Sequence, residues 1–315
     1  MPAMRSGSLQ AYFHGPPGEG KEPPPERRAA RRQVSGILFM ALSTLILSVM
    51  HALVRHVGQD MNTLEVAFFR NLFGLLFLLP LILRSGRQVM KTSRPGTHLL
   101  RGIIGAVSMT LWFTGLAFVP IADATALSFT GIVFASLCAV IFLGEVIRLR
   151  RSIAIAVSFL GALIMLRPGF QEIDIYVWMV LISSACWGLA MIVVKSLSTT
   201  ESPLCIVSWN AVLMTALTFL PALWVWSTPT WEQLFFLFLI GCLGSAGHLA
   251  MTRALQLADA TLVLPLDFLR LIWAGAIGYF AFAEFPDTWS LIGGAIIVGS
   301  AAYISRRERL KAKES

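Results

Sequence analysis

ADAT stands at residues 122–125 and again at 258–261. Each copy opens a long apolar stretch that closes near a glutamate, in FLGEV (142–146) and in FAEF (282–285). A further apolar stretch then ends in arginine, at Arg167 in one case and Arg306 in the other. Four matching residues carry little weight alone. The same helix–glutamate–helix register around both copies points to an internal duplication.

Working outward from these copies, the chain divides into ten apolar runs of roughly 18–25 residues, each long enough to cross ~30 Å of hydrocarbon at about 1.5 Å per residue. They fall near 34–56, 63–83, 98–119, 122–143, 149–166, 175–195, 203–226, 232–254, 258–283 and 288–304. Breaks as short as VPIAD (119–123) and EFPD (284–287) make successive helices antiparallel neighbours, with turns at Pro120 and Pro286. The composition agrees: 56% of the 315 residues are hydrophobic and 13% are charged, too little charge to cover a soluble domain of this size. The expected fold is all-α and integral to the membrane, with ten helices in two five-helix repeats, 34–167 and 175–306. Because five is odd, the second repeat is inverted relative to the first, with Asp123 outside and Asp259 inside. Residues 1–33, rich in Pro, Gly and charge, read as a disordered cytoplasmic tail, and 307–315 as a basic cytoplasmic tail. The run from Val34 is too long for a signal-peptide core and is expected to remain as the first helix.

The net charge of +8 does not indicate nucleic acid, because the basic residues form short clusters between apolar runs rather than a patch interleaved with aromatics. Lys21, Arg27, Arg28, Arg31 and Arg32 precede the first run. Arg84, Arg87, Lys91 and Arg94 lie in the second loop, Arg148, Arg150 and Arg151 in the fourth, and Arg306, Arg307, Arg309, Lys311 and Lys313 at the end. With ten helices these all fall on one side, so both termini are expected in the cytoplasm. Cys138, Cys186, Cys205 and Cys242 lie in apolar segments without metal-ligand spacing and read as small apolar residues. No metal or other cofactor is expected.

Polar groups inside the hydrocarbon need a partner or a role. LPLDFLRLIW (264–273) carries Asp267 and Arg270 three residues apart, on one helix face, just after Pro265, which loosens the helix at Thr261. Counting about 1.5 Å per residue, His51, Arg70 and Arg270 share one layer near the outer surface, with Asp267 deeper and Glu65 shallower. Asn210 and His248, with Ser208 and Ser245 nearby, form a second polar layer toward the cytoplasm. Trp112, Trp187 and Trp209 offer flat surfaces either for packing or for stacking on a ligand. Gly241, Gly244 and Gly247 form a stripe suited to close helix packing. The candidate substrate contacts are therefore Asp267, Arg270, Arg70, His51, Glu65, Asn210, His248, Trp112 and Trp187.

There is no HExxH, GxSxG, CxxC or Walker loop, so an enzyme is not expected and the chain cannot run on its own ATP hydrolysis. Glu65, Asp267 and His51 are the candidate proton carriers. The rival class is a membrane-embedded transferase, which would need a catalytic cluster that these short loops do not show.

The ten-helix 5+5 plan, the glutamates closing the fourth and ninth helices and the AxxxSF pattern in ADATALSF (122–129) resemble the drug/metabolite transporter superfamily of EamA type. The likeness covers 34–306. LEVAFFRNLFGLL (64–76), KTSRPGTHLLRG (91–102) and AEFPDTWSLIGGAIIV (283–298) are similar to the S-adenosylmethionine uptake group. The resemblance implies a secondary transporter of the bacterial inner membrane, working by alternating access. Its partners would be the lipid bilayer and a small organic metabolite, charged or zwitterionic like S-adenosylmethionine, or alternatively riboflavin or an amino acid.

Overall fold

The computed structural model describes residues 25–84, 86, 90–143, 149–166, 174–197, 200–201, 203–257 and 264–314. These residues are helical throughout, with no strand among them. In chain order the helices are α1 (Pro25–Asp60), α2 (Thr63–Arg84), α3 (Pro95–Phe118), α4 (Ile121–Ser128), α5 (Thr130–Leu143), α6 (Leu149–Leu166), α7 (Ile175–Leu197), α8 (Pro203–Trp224) and α9 (Trp231–Leu257). A 3-10 turn at Leu264–Phe268 leads into α10 (Leu269–Phe282), and α11 (Thr288–Glu314) follows. Six of them, α1, α2, α3, α7, α8 and α9, contain spans long and apolar enough to cross a membrane, and shorter apolar helices cover Ile121–Ala135 and Thr288–Ser300.

The ends follow local chemistry. Pro95 occupies the first turn of α3, where its missing N–H is no loss. Thr230 and Gln233 cap α9 reciprocally: the Thr230 N–H donates to the Gln233 side chain at 2.9 Å, and the Gln233 N–H to the Thr230 hydroxyl at 3.2 Å. Turns stand where Pro120 and Pro286 predict them, between α3 and α4 and between α10 and α11. At the second turn Ala283 takes a left-handed conformation with φ 52°.

Two helices reach into the stretches read as tails. Helix α1 begins at Pro25, inside the stretch read as a tail, because ERRAARR consists of good helix formers behind a proline at the first position. The basic end, read as a tail from 307, continues α11 to Glu314. Residues 1–24, the second ADAT copy, Glu145, Arg148 and Arg167 lie outside the described residues.

Two of the expected helices are broken. The 122–143 run splits at Phe129, where the hydroxyls of Ser128 and Thr130 donate back to the carbonyls of Thr125 (2.7 Å) and Leu127 (2.6 Å). Such back-bonding bends a helix. The 258–283 run enters α10 through the 3-10 turn that contains Pro265. The two breaks meet, with the Phe129 and Phe268 ring centroids 4.9 Å apart.

The helices pack in a pattern that pairs the first five runs with the second five. Helix α1 packs along α9 and α7 along α3; α2 meets α9 and α8 meets α3; α10 packs on α1 and α5 on α7. Matching hydrogen bonds join the first two pairs. The Ser43 hydroxyl on α1 donates to the Gly247 carbonyl on α9 at 2.8 Å, and the Ser183 hydroxyl on α7 donates to the Ser108 carbonyl on α3 at 2.7 Å. The glycine stripe of α9 lets these helices approach: a Cβ at Gly247 would stand 2.7 Å from Leu47, and one at Gly244 3.0 Å from Met50. A buried core including Val54, Val66, Phe113, Leu116, Leu127 and Ile240 runs through the middle. Leu83, Leu220 and Phe280 stand on the exterior more than half exposed, the outside-in apolarity of a protein whose solvent is lipid.

At one end of the bundle, Arg55 of α1 donates to the carbonyl of Leu116 at 3.0 Å and forms an ion pair with Glu284. Glu284 also accepts the Ile121 N–H at 2.9 Å, tying the start of α4 to the turn after α10. At the segment joining α2 to α3, Glu201 accepts the Thr92 hydroxyl at 2.6 Å and the Ser93 N–H at 3.3 Å. These donors, Thr92 foremost, hold its carboxyl below the ordinary glutamate pKa.

Candidate functional site

Asp267 and Arg270 form the expected ion pair, 2.8 Å apart, where the 3-10 turn passes into α10. Both side chains keep part of their surface open, 32% and 23% respectively. The Arg270 guanidinium lies over the ring of Phe129, 5.4 Å from its centroid, so the broken segment of one half carries a cation onto the broken segment of the other. Phe129 is the last residue of ADATALSF.

His51 on α1 sets its ring edge-on to Trp112 of α3, with centroids 5.3 Å apart. Met50, its neighbour on α1, and Arg70 of α2 would both meet a Cβ at Gly244, at 3.0 and 3.1 Å, so α1, α2 and α9 come together beside it. Arg70 of α2 occupies room left by a missing side chain: a Cβ at Gly244 would stand 3.1 Å from its guanidinium. It donates to Asn71 at 2.9 Å, while its Nε is buried without a partner. Asn71 in turn donates to the Thr218 hydroxyl of α8 at 3.3 Å and to the Met109 sulfur of α3 at 3.4 Å. Trp112 thus meets His51; Arg70 and the His51 segment of α1 meet at Gly244; and Arg270 lies on Phe129.

The structure adds Arg101. It lies buried on α3, with Nε and one terminal nitrogen unpartnered. A Cβ at Gly105 would stand 2.9 Å from the Met214 sulfur, so this glycine keeps α3 close to α8 beside the guanidinium. The charge was visible inside KTSRPGTHLLRG, six residues into a membrane helix. Its place among loop-flanking basic residues hid it.

Other candidates stand apart. Glu65 is fully buried but turned to the α8–α9 turn, where it accepts the Ser227 N–H and, at 2.9 Å, the Ser227 hydroxyl. Among the described residues no ion pair joins it to Arg70. Trp187 packs at Gly131 of α5 and is 44% exposed. Asn210 keeps a buried, unpartnered side-chain oxygen on α8, as Ser208 does its hydroxyl. Ser245 is bound to α2, donating to the Gly74 carbonyl at 3.1 Å. Trp209 stacks on His98 and donates to the Met90 carbonyl at 3.2 Å.

Residues 34–167 and 174–306 each match the EamA-like transporter family. The chain belongs to that family. Its two matched segments are the two halves whose packing and serine bonds correspond.

Among EamA proteins, this chain is 32% identical over 282 residues to the S-adenosylmethionine uptake transporter of Rickettsia prowazekii (strain Madrid E), covering 89% of this chain and 96% of the relative. It is 32% identical over 280 residues to the riboflavin transporter of Rhizobium johnstonii, covering 88% and 93%. It is 29% identical over 280 residues to the pseudopaline exporter CntI of Pseudomonas aeruginosa, covering 87% and 97%. A crystal structure with 18% identity superposes with a TM-score of 0.54, covering 89% of this chain and 98% of the other, which supports the fold. The homologues are named as transporters of small metabolites.

Proposed function

We propose that this EamA protein is a secondary transporter of a small metabolite carrying an anionic group, moved across the bacterial inner membrane by alternating access. The observation that carries this reading is the charge count of the candidate residues. We take Arg70, Arg101 and Arg270 with His51 and His248 as the lining, and among the described residues the one carboxylate paired with any of the three guanidinium groups is that of Asp267. Guanidinium charges without a carboxylate, Arg101 buried and Arg70 half-buried, are costly in a low-dielectric interior, unless a ligand supplies the missing negative charge. A carboxylate does so with geometry that suits arginine.

A zwitterionic, S-adenosylmethionine-like metabolite fits best: its carboxylate toward Arg70 or Arg101, its cationic part toward Asp267. The His51–Trp112 pair supports a second reading, a flat aromatic substrate such as riboflavin, and amino acids remain alternatives of the first kind. Purified protein in proteoliposomes, offered radiolabelled S-adenosylmethionine, an amino-acid mixture and riboflavin, is expected to accumulate a carboxylate-bearing solute saturably. Saturable movement of riboflavin alone would sink the anion reading.

The two halves are taken as inverted repeats within a ten-helix plan, both termini cytoplasmic. The exchange of packing partners between the halves and the Ser43–Gly247 and Ser183–Ser108 bonds support this. Cysteine labels at Thr228 and Gln88 are expected to react from opposite sides of the membrane, Thr228 from the periplasm. Reaction of both from one side would remove the inversion.

A further inference from the structure

Where α3 and α8 begin, one turn before Arg101 on α3, three side chains from two separate segments converge. A ring nitrogen of His98, a carboxylate oxygen of Glu201 and the sulfur of Cys205 all lie within 4.8 Å of one another. His98 is 2% exposed, and its Nε2 is buried without a hydrogen-bond partner. Cys205, also 2% exposed, points its thiol to Glu201 at 3.4 Å and to the Lys91 carbonyl at 3.7 Å. Glu201 lies two residues before α8 and Cys205 in its first turn, and the thiol contact joins them.

We propose that His98, Glu201 and Cys205 bind a divalent transition-metal ion of the zinc type. One nitrogen, one sulfur and one oxygen form the mixed donor set such ions take, and not the all-oxygen set of magnesium or calcium. A thiolate and a carboxylate together neutralise two positive charges, leaving the imidazole neutral. Metal bonds of about 2.0–2.3 Å require the three atoms to draw in by roughly half an ångström each, within the reach of side-chain torsions. The thiol proton leaves to solvent as the sulfur binds, one per ion. Three protein ligands leave a fourth position for water.

The surroundings hold these ligands in place. The Trp209 indole stacks on the His98 ring with centroids 5.5 Å apart, and the Thr92 hydroxyl and Ser93 N–H orient the Glu201 carboxylate. The competing cation nearby is diverted, because Arg94 donates to the carbonyl and hydroxyl of Ser196 at 2.9 and 3.0 Å. The ion would cross-link α3 of the first matched segment to α8 of the second, at one end of the bundle.

The full-length protein, purified in detergent with its affinity tag removed and stripped of metal, is titrated with Co²⁺. An equimolar amount is expected to raise a thiolate-to-cobalt charge-transfer band in the near ultraviolet, and Zn²⁺ to remove it. Cys205→Ser is expected to abolish the band, and His98→Gln to weaken Co²⁺ binding on the order of tenfold or more. A Cys138→Ser/Cys186→Ser/Cys242→Ser variant is expected to keep it, with circular dichroism checking helicity throughout. No band in the wild-type protein, loss of the band in the triple variant, or a band persisting in Cys205→Ser overturns the proposal. The wild-type and triple-variant titrations decide even where Cys205→Ser fails to fold.

Discussion

Arg70→Gln is expected to lower transport by roughly ten- to a hundredfold while leaving the folded yield close to wild type. A charge-assisted hydrogen bond to a substrate anion contributes about 1.5–3 kcal/mol, and about 1.4 kcal/mol is a tenfold change. The yield should hold because no carboxylate depends on Arg70. Its partner is the neutral Asn71 oxygen, to which a glutamine amide can also donate. Removing a charge that is buried without a counter-ion relieves the fold of a desolvation cost. An arginine that only pinned helices together would behave the opposite way, so transport and yield are measured side by side on the same detergent-solubilised preparation. Wild-type transport with reduced yield would return Arg70 to a packing role.

The helical, membrane-embedded character was legible because it rests on long-range averages: apolar runs matched to bilayer thickness and proline at the turns. The bends were less legible. Pro265 marked one, but the other, at Phe129, arises from two hydroxyls bonding back to their own helix, and a serine or threonine in an apolar run gives no sign of doing so. In the site, depth counting puts His51, Arg70 and Arg270 in one layer. Depth carries no information about azimuth, however. Glu65, counted shallower, faces Ser227, and Trp187 faces outward beside Gly131. Arg101 was lost for a different reason: close to a helix start, an arginine that turns inward reads like one that snorkels to the surface. The His98, Glu201 and Cys205 grouping joins the start of α3 to the start of α8, and no spacing rule connects residues about a hundred positions apart.

The pair of Asp267 and Arg270 separates a structural from a functional role most sharply. Each single neutralisation, Asp267→Asn or Arg270→Gln, leaves one charge without its partner. Because both side chains are partly open, the loss should be about 1–3 kcal/mol rather than the roughly 3–5 kcal/mol of a fully buried pair. The double change Asp267→Asn/Arg270→Gln removes both charges, and the thermal midpoint in detergent is expected to return to near the wild-type value. Transport is not expected to return with it. The pair sits on a 3-10 turn beside Pro265 and lies against Phe129 of the opposing break, so its charges face the region where two interrupted helices meet. A ligand shifts a conformational equilibrium only through differential affinity for the two states. A neutral pair has lost its electrostatic hold on a charged substrate in either state, so at least a tenfold deficit in flux is expected from a double variant that folds and reaches the membrane. Full recovery of both stability and flux would make the pair a structural clasp and move the substrate contacts to Arg70, Arg101 and the His51–Trp112 pair.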